Sequence, residues 1–591
     1  MKHLIPWLLL VSMPMLYLAC GEEEMEPTGA SVALELFALE SCSATDDADS
    51  PVLFKVKVVR KTGNQTEVLA DKEFDATSTT LKLTKIPEGS NIELTILGVG
   101  PNPAAPPVAY ARAKNLTVVH DETTVVATTL ARYGSLSCGV DRPKGAPNMM
   151  FPTSTILPDG RVLIAGGFTK VSEEAGRFEL GQASKRGFIY DPATGIIDQV
   201  GSDMNKARGA HSAVYLPKTK LVLLVGGAER MYKEKDNTCF PFYFLKNTAG
   251  TVGFEYELFD PAWNNGQGRF LDWTAAEWPD VTHEMNKNAR RVFPGVSLNN
   301  DGTVLVTGGG SWPSCQTNTE TDSDYQIAEI YRPKSDNYTG MFMESYGALT
   351  MKGMRTGHST ALLGVKDKRA THIFWGGSED GPLAELYTEA SGQMDGTFGV
   401  FTPVEFLDSN SYKKRPYFHT LTPLKDRRFL LVGGTLVKSG DLAIPSSGDA
   451  HLVDFQSNNK VGISTVEGLE VGRYFHSAAS FDADNVIVIG GFSSTVQGEN
   501  NLFSNTATDD VRFFNLATGS FQLPSVDTIP MARGGHISAP LPDDCLLMVG
   551  GADVVHEGLE FGSDTVPLLV EVYCPSAVCP ESLWETTCYQ E

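Results

Sequence analysis

Two rhythms of apolar and polar residues divide the chain. From Ala30 to Leu136 they alternate with period two, as in Val52-Leu53-Phe54-Lys55-Val56-Lys57-Val58 and Ile92-Glu93-Leu94-Thr95-Ile96-Leu97. Turn signals separate these runs: Lys61-Thr62-Gly63-Asn64, Pro87-Glu88-Gly89-Ser90 and Gly100-Pro101-Asn102-Pro103. Short half-buried strands at this spacing predict a β-sandwich over 30–137. It holds no cluster of titratable or nucleophilic residues, so its expected role is that of a spacer.

From Phe151 onward the rhythm changes. Fully apolar strands end in paired glycines at Gly166-Gly167, Gly226-Gly227, Gly308-Gly309, Gly376-Gly377, Gly433-Gly434, Gly490-Gly491 and Gly550-Gly551. A run apolar at every position is buried on both faces, and the glycines mark a bend or a close backbone approach. The first glycines are spaced by 60, 82, 68, 57, 57 and 60 residues. A second signature precedes the pairs: Arg208-Gly-Ala-His211, Arg355-Thr-Gly-His358, Arg473-Tyr-Phe-His476 and Arg533-Gly-Gly-His536. Degenerate copies are Arg290-Arg-Val-Phe293 and Arg415-Pro-Tyr-Phe-His419, and Asn148-Met-Met-Phe151 fills the slot in the first unit. A third strand follows each pair, as in Phe188-Ile-Tyr190-Asp191-Pro192 and Glu257-Leu-Phe259-Asp260-Pro261, then a weaker fourth.

Four strands per unit, repeated seven times, make a ring of propeller blades, because one sheet cannot bury both of its faces alone. The glycine pairs, the Tyr-Asp-Pro strand and the Arg-x-x-His segment resemble kelch repeats over about 440 residues. The fold class expected is therefore all-β: an N-terminal sandwich of immunoglobulin-like type, then a seven-bladed kelch-type propeller over 145–591. Blade seven is expected to supply its own fourth strand near Trp584. In the alternative, Gly134–Cys138 supplies its outer strand.

The N-terminus reads Met1-Lys2-His3, then an apolar run from Leu4 to Ala19 and Cys20. That is signal-peptide length, too short for a comfortable membrane span. It resembles a bacterial lipoprotein signal, with 1–19 removed, Cys20 lipidated and 20–29 a tether. Gly21 in place of aspartate points to the outer membrane or cell surface, with the periplasm as the alternative. Eight further cysteines, Cys42, Cys138, Cys239, Cys315, Cys545, Cys574, Cys579 and Cys588, favour disulfides in an exported chain. Cys42 and Cys138 bracket the N-terminal module. Cys239 and Cys315 lie in equivalent loops of adjacent blades, and the last four fall in blade seven.

A net charge of −24 argues against nucleic acid or an anionic membrane surface as partner. The membrane is expected to be met through the lipid alone. In a propeller the long connections 228–255, 311–326, 492–510 and 552–567 share one face, and binding residues concentrate on such loops. Candidates there are Phe242, Tyr243 and Trp312, with Arg208, Arg290, Arg355, Arg415, Arg473 and Arg533 as a positive ring suited to a carboxylate or an acidic glycan. The competing reading pins each arginine to a third-strand glutamate (257, 329, 385 or 571), and gives the repeat histidines a packing role. No catalytic residue, metal site or cofactor is expected; Asp322 with Asp324, and Asp482 with Asp484, lack an EF-hand frame for calcium. The function expected is a non-enzymatic module that grips a protein or glycan. The alternative is a sugar-active enzyme, galactose oxidase-like or epimerase- or sialidase-like. That resemblance would call for a copper site completed by a histidine of a further domain.

Overall fold

The computed structural model is almost entirely β. It describes residues 30–574 apart from short runs, the longest being 235–255, 273–290, 310–325, 436–447 and 553–567. Cys20, Cys239, Cys315, Cys579, Cys588, Phe242, Tyr243, Trp312 and Arg290 lie outside the described residues.

The N-terminal alternation forms Ala30–Ala38, Leu53–Thr62, Gln65–Asp75, Leu81–Ile86, Gly89–Val99, Ala109–Val118 and Thr123–Arg132. The halves of the expected sandwich are joined edge to edge into one seven-stranded sheet. Its end strands, Gln65–Asp75 and Leu81–Ile86, meet, so the sheet nearly closes around one core that includes Val56, Leu83, Leu94 and Ile96. The inward residues are every second one, as the pleat requires.

The seven apolar runs each become the second strand of a blade: Val162–Ala165, Leu221–Val225, Val304–Thr307, Arg369–Trp375, Arg428–Val432, Asn485–Ile489 and Leu546–Val549. In every blade this strand lies between the first and the third, both antiparallel to it. The seven first strands, Thr153–Ile156, Ser212–Leu216, Gly295–Leu298, Ser359–Lys366, Thr420–Pro423, Ser477–Ser480 and Ile537–Pro540, contact one another in order around the axis, the last against the first.

The glycine pairs join the blades. All fourteen have positive φ. A Cβ on the first glycine of a pair would strike a carbonyl of the next blade: Arg208 for Gly166, Arg291 for Gly226, Met149 for Gly550. The second glycine's N–H donates to that same carbonyl, at 2.8–2.9 Å in all seven junctions. The repeat is thus a backbone joint that closes on itself.

Closure differs from the first expectation. The outer strand of blade seven is Leu136–Cys138, antiparallel to Val570–Tyr573, and Glu40–Ser41 pairs beyond it. The Gly134 N–H donates to the Cys574 carbonyl at 2.7 Å. Disulfides Cys42–Cys138 and Cys545–Cys574 brace this corner. The N-terminal module therefore completes the ring.

The module sits at one end of the blades. The Thr129 hydroxyl donates to the Pro192 carbonyl, and Arg112 and Lys114 pair with Asp544. Pro192 lies between strands three and four, and Asp544 between strands one and two. Both turns are opposite the connections from strand two to strand three. Tyr110 and Ala131 join the core of blades one and seven. Burial pushes the Asp543 carboxyl there up to about 6.

Candidate functional site

The repeat arginines come first. Arg208, Arg291, Arg355, Arg473 and Arg533 are fully buried. Each guanidinium donates to the carbonyl of its own blade's first glycine, Gly226, Gly308, Gly376, Gly490 and Gly550. Each also meets an acid: Glu257 at 2.8 Å, Glu329 at 2.6 Å, Glu385 at 2.9 Å, Glu571 at 2.6 Å, and Asp510 for Arg473. A buried guanidinium needs such a partner, since an isolated charge is costly away from water. This corrects the proposed positive ring. Arg208, Arg355, Arg473 and Arg533 hold strands together and offer nothing to a ligand. In blade three the slot belongs to Arg291, one residue beyond Arg290. In blade five it belongs to Pro416, and the half-buried Arg415 donates to the carbonyls of Ser378 and Gly381.

The histidines are fixed as firmly. His211, His419, His476 and His536 share a hydrogen bond through Nε2 with a hydroxyl on the preceding blade's first strand: Thr153, Ser359, Thr420 and Ser477, at 2.7–3.0 Å. In blade three Gly295 stands where that hydroxyl would be, and His358 meets Thr307 at 3.0 Å instead. Burial pushes these imidazoles well down, to about 3 for His358, His419 and His536. They are neutral wedges between blades. Among the described residues, no group of three or more His, Cys, Asp or Glu side chains is placed to hold a metal ion.

Two blades depart from the arginine–acid pair. Blade one replaces it with Met149 and Phe188, both buried. Blade five has Pro416 and, at the third-strand acid position, His451, buried edge-on against Tyr412.

The axis holds what sequence reasoning missed. The residue one before each histidine slot is Phe151, Ala210, Phe293, Gly357, Phe418, Phe475 or Gly535, and all seven have φ between 50° and 68°. Backbone N–H groups link them around the channel: Ala210 to Phe151, Phe293 to Ala210, Phe418 to Gly357, Phe475 to Phe418, Gly535 to Phe475 and Phe151 to Gly535. The four phenyl rings converge within this hoop. Phe418 stacks on Phe475 with centroids 4.1 Å apart, Phe151 lies 4.6 Å from Phe475, and Phe293 lies 5.2–5.3 Å from the other three. Phe293, Phe418 and Phe475 are half-buried. The signal was a phenylalanine recurring at one place in four units.

This hoop lies where strand one begins, at the loop-rich end. Beside it, Phe168–Glu174, Arg177–Ala183 and Met231–Glu234 form a three-stranded sheet from blades one and two. The hairpin Phe492–Gln497 with Leu502–Ala507 rises from blade six. Phe168, Leu180, Met231 and Phe492 pack in the same cluster as the axial rings. The site is an aromatic floor with β walls.

No family model and no curated protein matches this sequence. Among solved structures, the chain is similar to a novel fungal alcohol oxidase of the AA5 family in complex with copper. The identity is 13% and the TM-score 0.44, over 73% of this chain and 75% of that one. It is also similar to a structure described as that of YjhT, with 12% identity and a TM-score of 0.35, over 72% of this chain and 99% of that one. Likenesses this distant carry no argument about activity.

Proposed function

We propose that the chain is an exported, lipid-anchored kelch-type propeller. In this reading it is a binding module, not an enzyme, and grips a protein or glycan through its loop-rich face. The observation that carries the reading is the division of labour between the two ends of the blades. One end receives the N-terminal module and the strand that closes the ring. The other raises a small sheet and a hairpin around an aromatic floor. The repeated ionisable side chains between them are committed to holding blades together. Binding residues on loops over such a rigid frame are a common arrangement.

The geometry suits an anchor at Cys20. Strand Ala30–Ala38 runs towards Leu39, which packs on the turn at Gly195. Nine extended residues place Ala30 about 30 Å from that contact. The loop-rich face then points away from whatever holds the N-terminus. Among the described residues no helix is long and apolar enough to cross a membrane.

The test is a protein and glycan array probed with residues 30–591. A second sample has connection 228–255 shortened to a tight turn. Binding that is lost with the connection supports the reading. Hydrogen peroxide released from any primary alcohol would overturn it.

A further inference from the structure

Apolar side chains left open to water gather at one end of the ring. Among the described residues, every large apolar side chain that stands exposed belongs to the N-terminal module or to the module end of the blades. Those on the blades are Ile156, Met341, Leu362, Val365, Val400 and Leu407, and all but Ile156 lie on blades three to five. Leu362 and Val365, 50% and 52% exposed, end strand one of blade four beside its turn into strand two. Met341 and Val400 stand opposite Arg332 and Thr388, low on the outer strands of blades three and four. The Leu407 N–H donates to the Val461 carbonyl at the outer edge of blade five. The module touches blades seven and one, so blade four lies across the ring from it. Exposed apolar residues concentrated in one area mark a contact surface.

Charge supplies the second observation. From the last residue of strand one to the first of strand two, blades two to five carry eight Lys and Arg against three Asp. The same stretches of blades six, seven and one carry one Arg against five Asp. The module meets the acidic side, where Arg112 and Lys114 pair with Asp544, and leaves the basic side uncovered. Lys425 and Arg428 make exposed ion pairs with Asp484 and Asp426, which hold them weakly. Lys218, Lys220, Lys366 and Lys368 are exposed and form no ion pair among the described residues. Their turns adjoin: the Lys218 side chain covers Gly302, and the Asn300 amide donates to the Lys368 carbonyl. The chain's net charge of −24 opposes contact with an anionic surface as a whole. Salt screens charges beyond about 10 Å, however, so a surface against this end senses these turns first.

We propose that the module end of blades two to five docks on an anionic lipid bilayer, with Leu362 and Val365 among the headgroups and Lys220, Lys366 and Lys368 on lipid phosphates. Aliphatic tips beside flexible lysines suit a boundary that is charged outside and apolar beneath. Because the module stands under blades seven and one, the ring leans for the opposite blades to touch the same surface. That lean brings Met341, Val400 and Leu407 on the outer edge down with them. The proposal rests on the reading that the chain is held to a membrane at its N-terminus, and assigns the propeller surface that meets the lipid.

The test is co-sedimentation of residues 30–591, which hold every described strand and lack Cys20, with lipid vesicles. One set is phosphatidylcholine alone, and the other is equal parts phosphatidylcholine and phosphatidylglycerol. The expected result is binding at least tenfold tighter to the anionic set, weakening as salt is raised. Lys220→Glu with Lys366→Glu and Lys368→Glu should weaken it at least tenfold, and Leu362→Ser with Val365→Ser at least threefold. All five side chains are exposed, so both variants should melt at the original temperature. Lys413→Glu, an exposed change at the loop-rich end, should bind as the original does. Vesicle binding unchanged in the lysine variant overturns the proposal, as does an equal loss in Lys413→Glu. Binding unchanged in the Leu362 and Val365 variant overturns it too, because a purely ionic contact is one that an acidic polypeptide makes equally well. No preference for the anionic vesicles, alongside array binding that depends on connection 228–255, overturns this inference and leaves the binding-module reading standing.

Discussion

At the scale of single residues, blade one is a control for the arginine–acid pairs. Arg208→Met alone leaves the Glu257 carboxylate buried without its cation and should cost about 3–5 kcal/mol in a denaturant titration. Arg208→Met with Glu257→Phe copies the Met149–Phe188 arrangement and should recover at least half of that loss. A double variant no better than the single one would contradict this account. The histidines give a second prediction. His211, His358, His372, His419, His451, His476 and His536 are all held below the ordinary value, chiefly by burial. Their unfolded value is about 6.5, so below it the unfolded chain binds more protons. Their contribution is complete above about 6.5 and drains away as pH falls towards 4 and below. Asp543, raised to about 6, acts in the opposite direction as a single group. The melting temperature should therefore drop steeply from pH 7 to pH 4.5, and a flat profile would refute it. The arginine and histidine slots were legible because each recurs with fixed spacing. The slots at Arg291 and Pro416 slipped by one residue because an adjacent arginine matched the pattern equally well.

At the scale of elements, the glycine joint makes a contrast between two glycines that share a positive φ. Gly519→Ala adds a Cβ that meets nothing within 4 Å, so it should cost about 1 kcal/mol of backbone strain. Gly226→Ala drives a Cβ into the Arg291 carbonyl and should cost about 3 kcal/mol or more. Similar losses at both sites would show that the joint is looser than described. Glycine pairs after apolar runs revealed these joints directly in the sequence. The axial hoop was harder to see. A phenylalanine before a histidine reads as one more core residue, and only the backbone reveals its left-handed conformation and its meeting with residues more than 300 positions away.

At the scale of the whole molecule, seven blades were countable, whereas the manner of closure was not decided by pattern. Leu136–Cys138 is three residues long, too short to display alternation, and its partner Val570–Tyr573 lies over 430 residues further on. The structure makes the N-terminal module part of the ring, so a chain starting near residue 140 should fail to give a cooperatively folded propeller, while 30–591 should succeed. The functional reading needs this arrangement, because the module's place at one end leaves the loop-rich end free. The most direct test is hydrogen exchange on residues 30–591, comparing amides of 136–138 with those of Ser520–Gln522, the outer strand of blade six. Protection of the two within tenfold is the predicted result; exchange at 136–138 as fast as in an unfolded peptide would contradict the account.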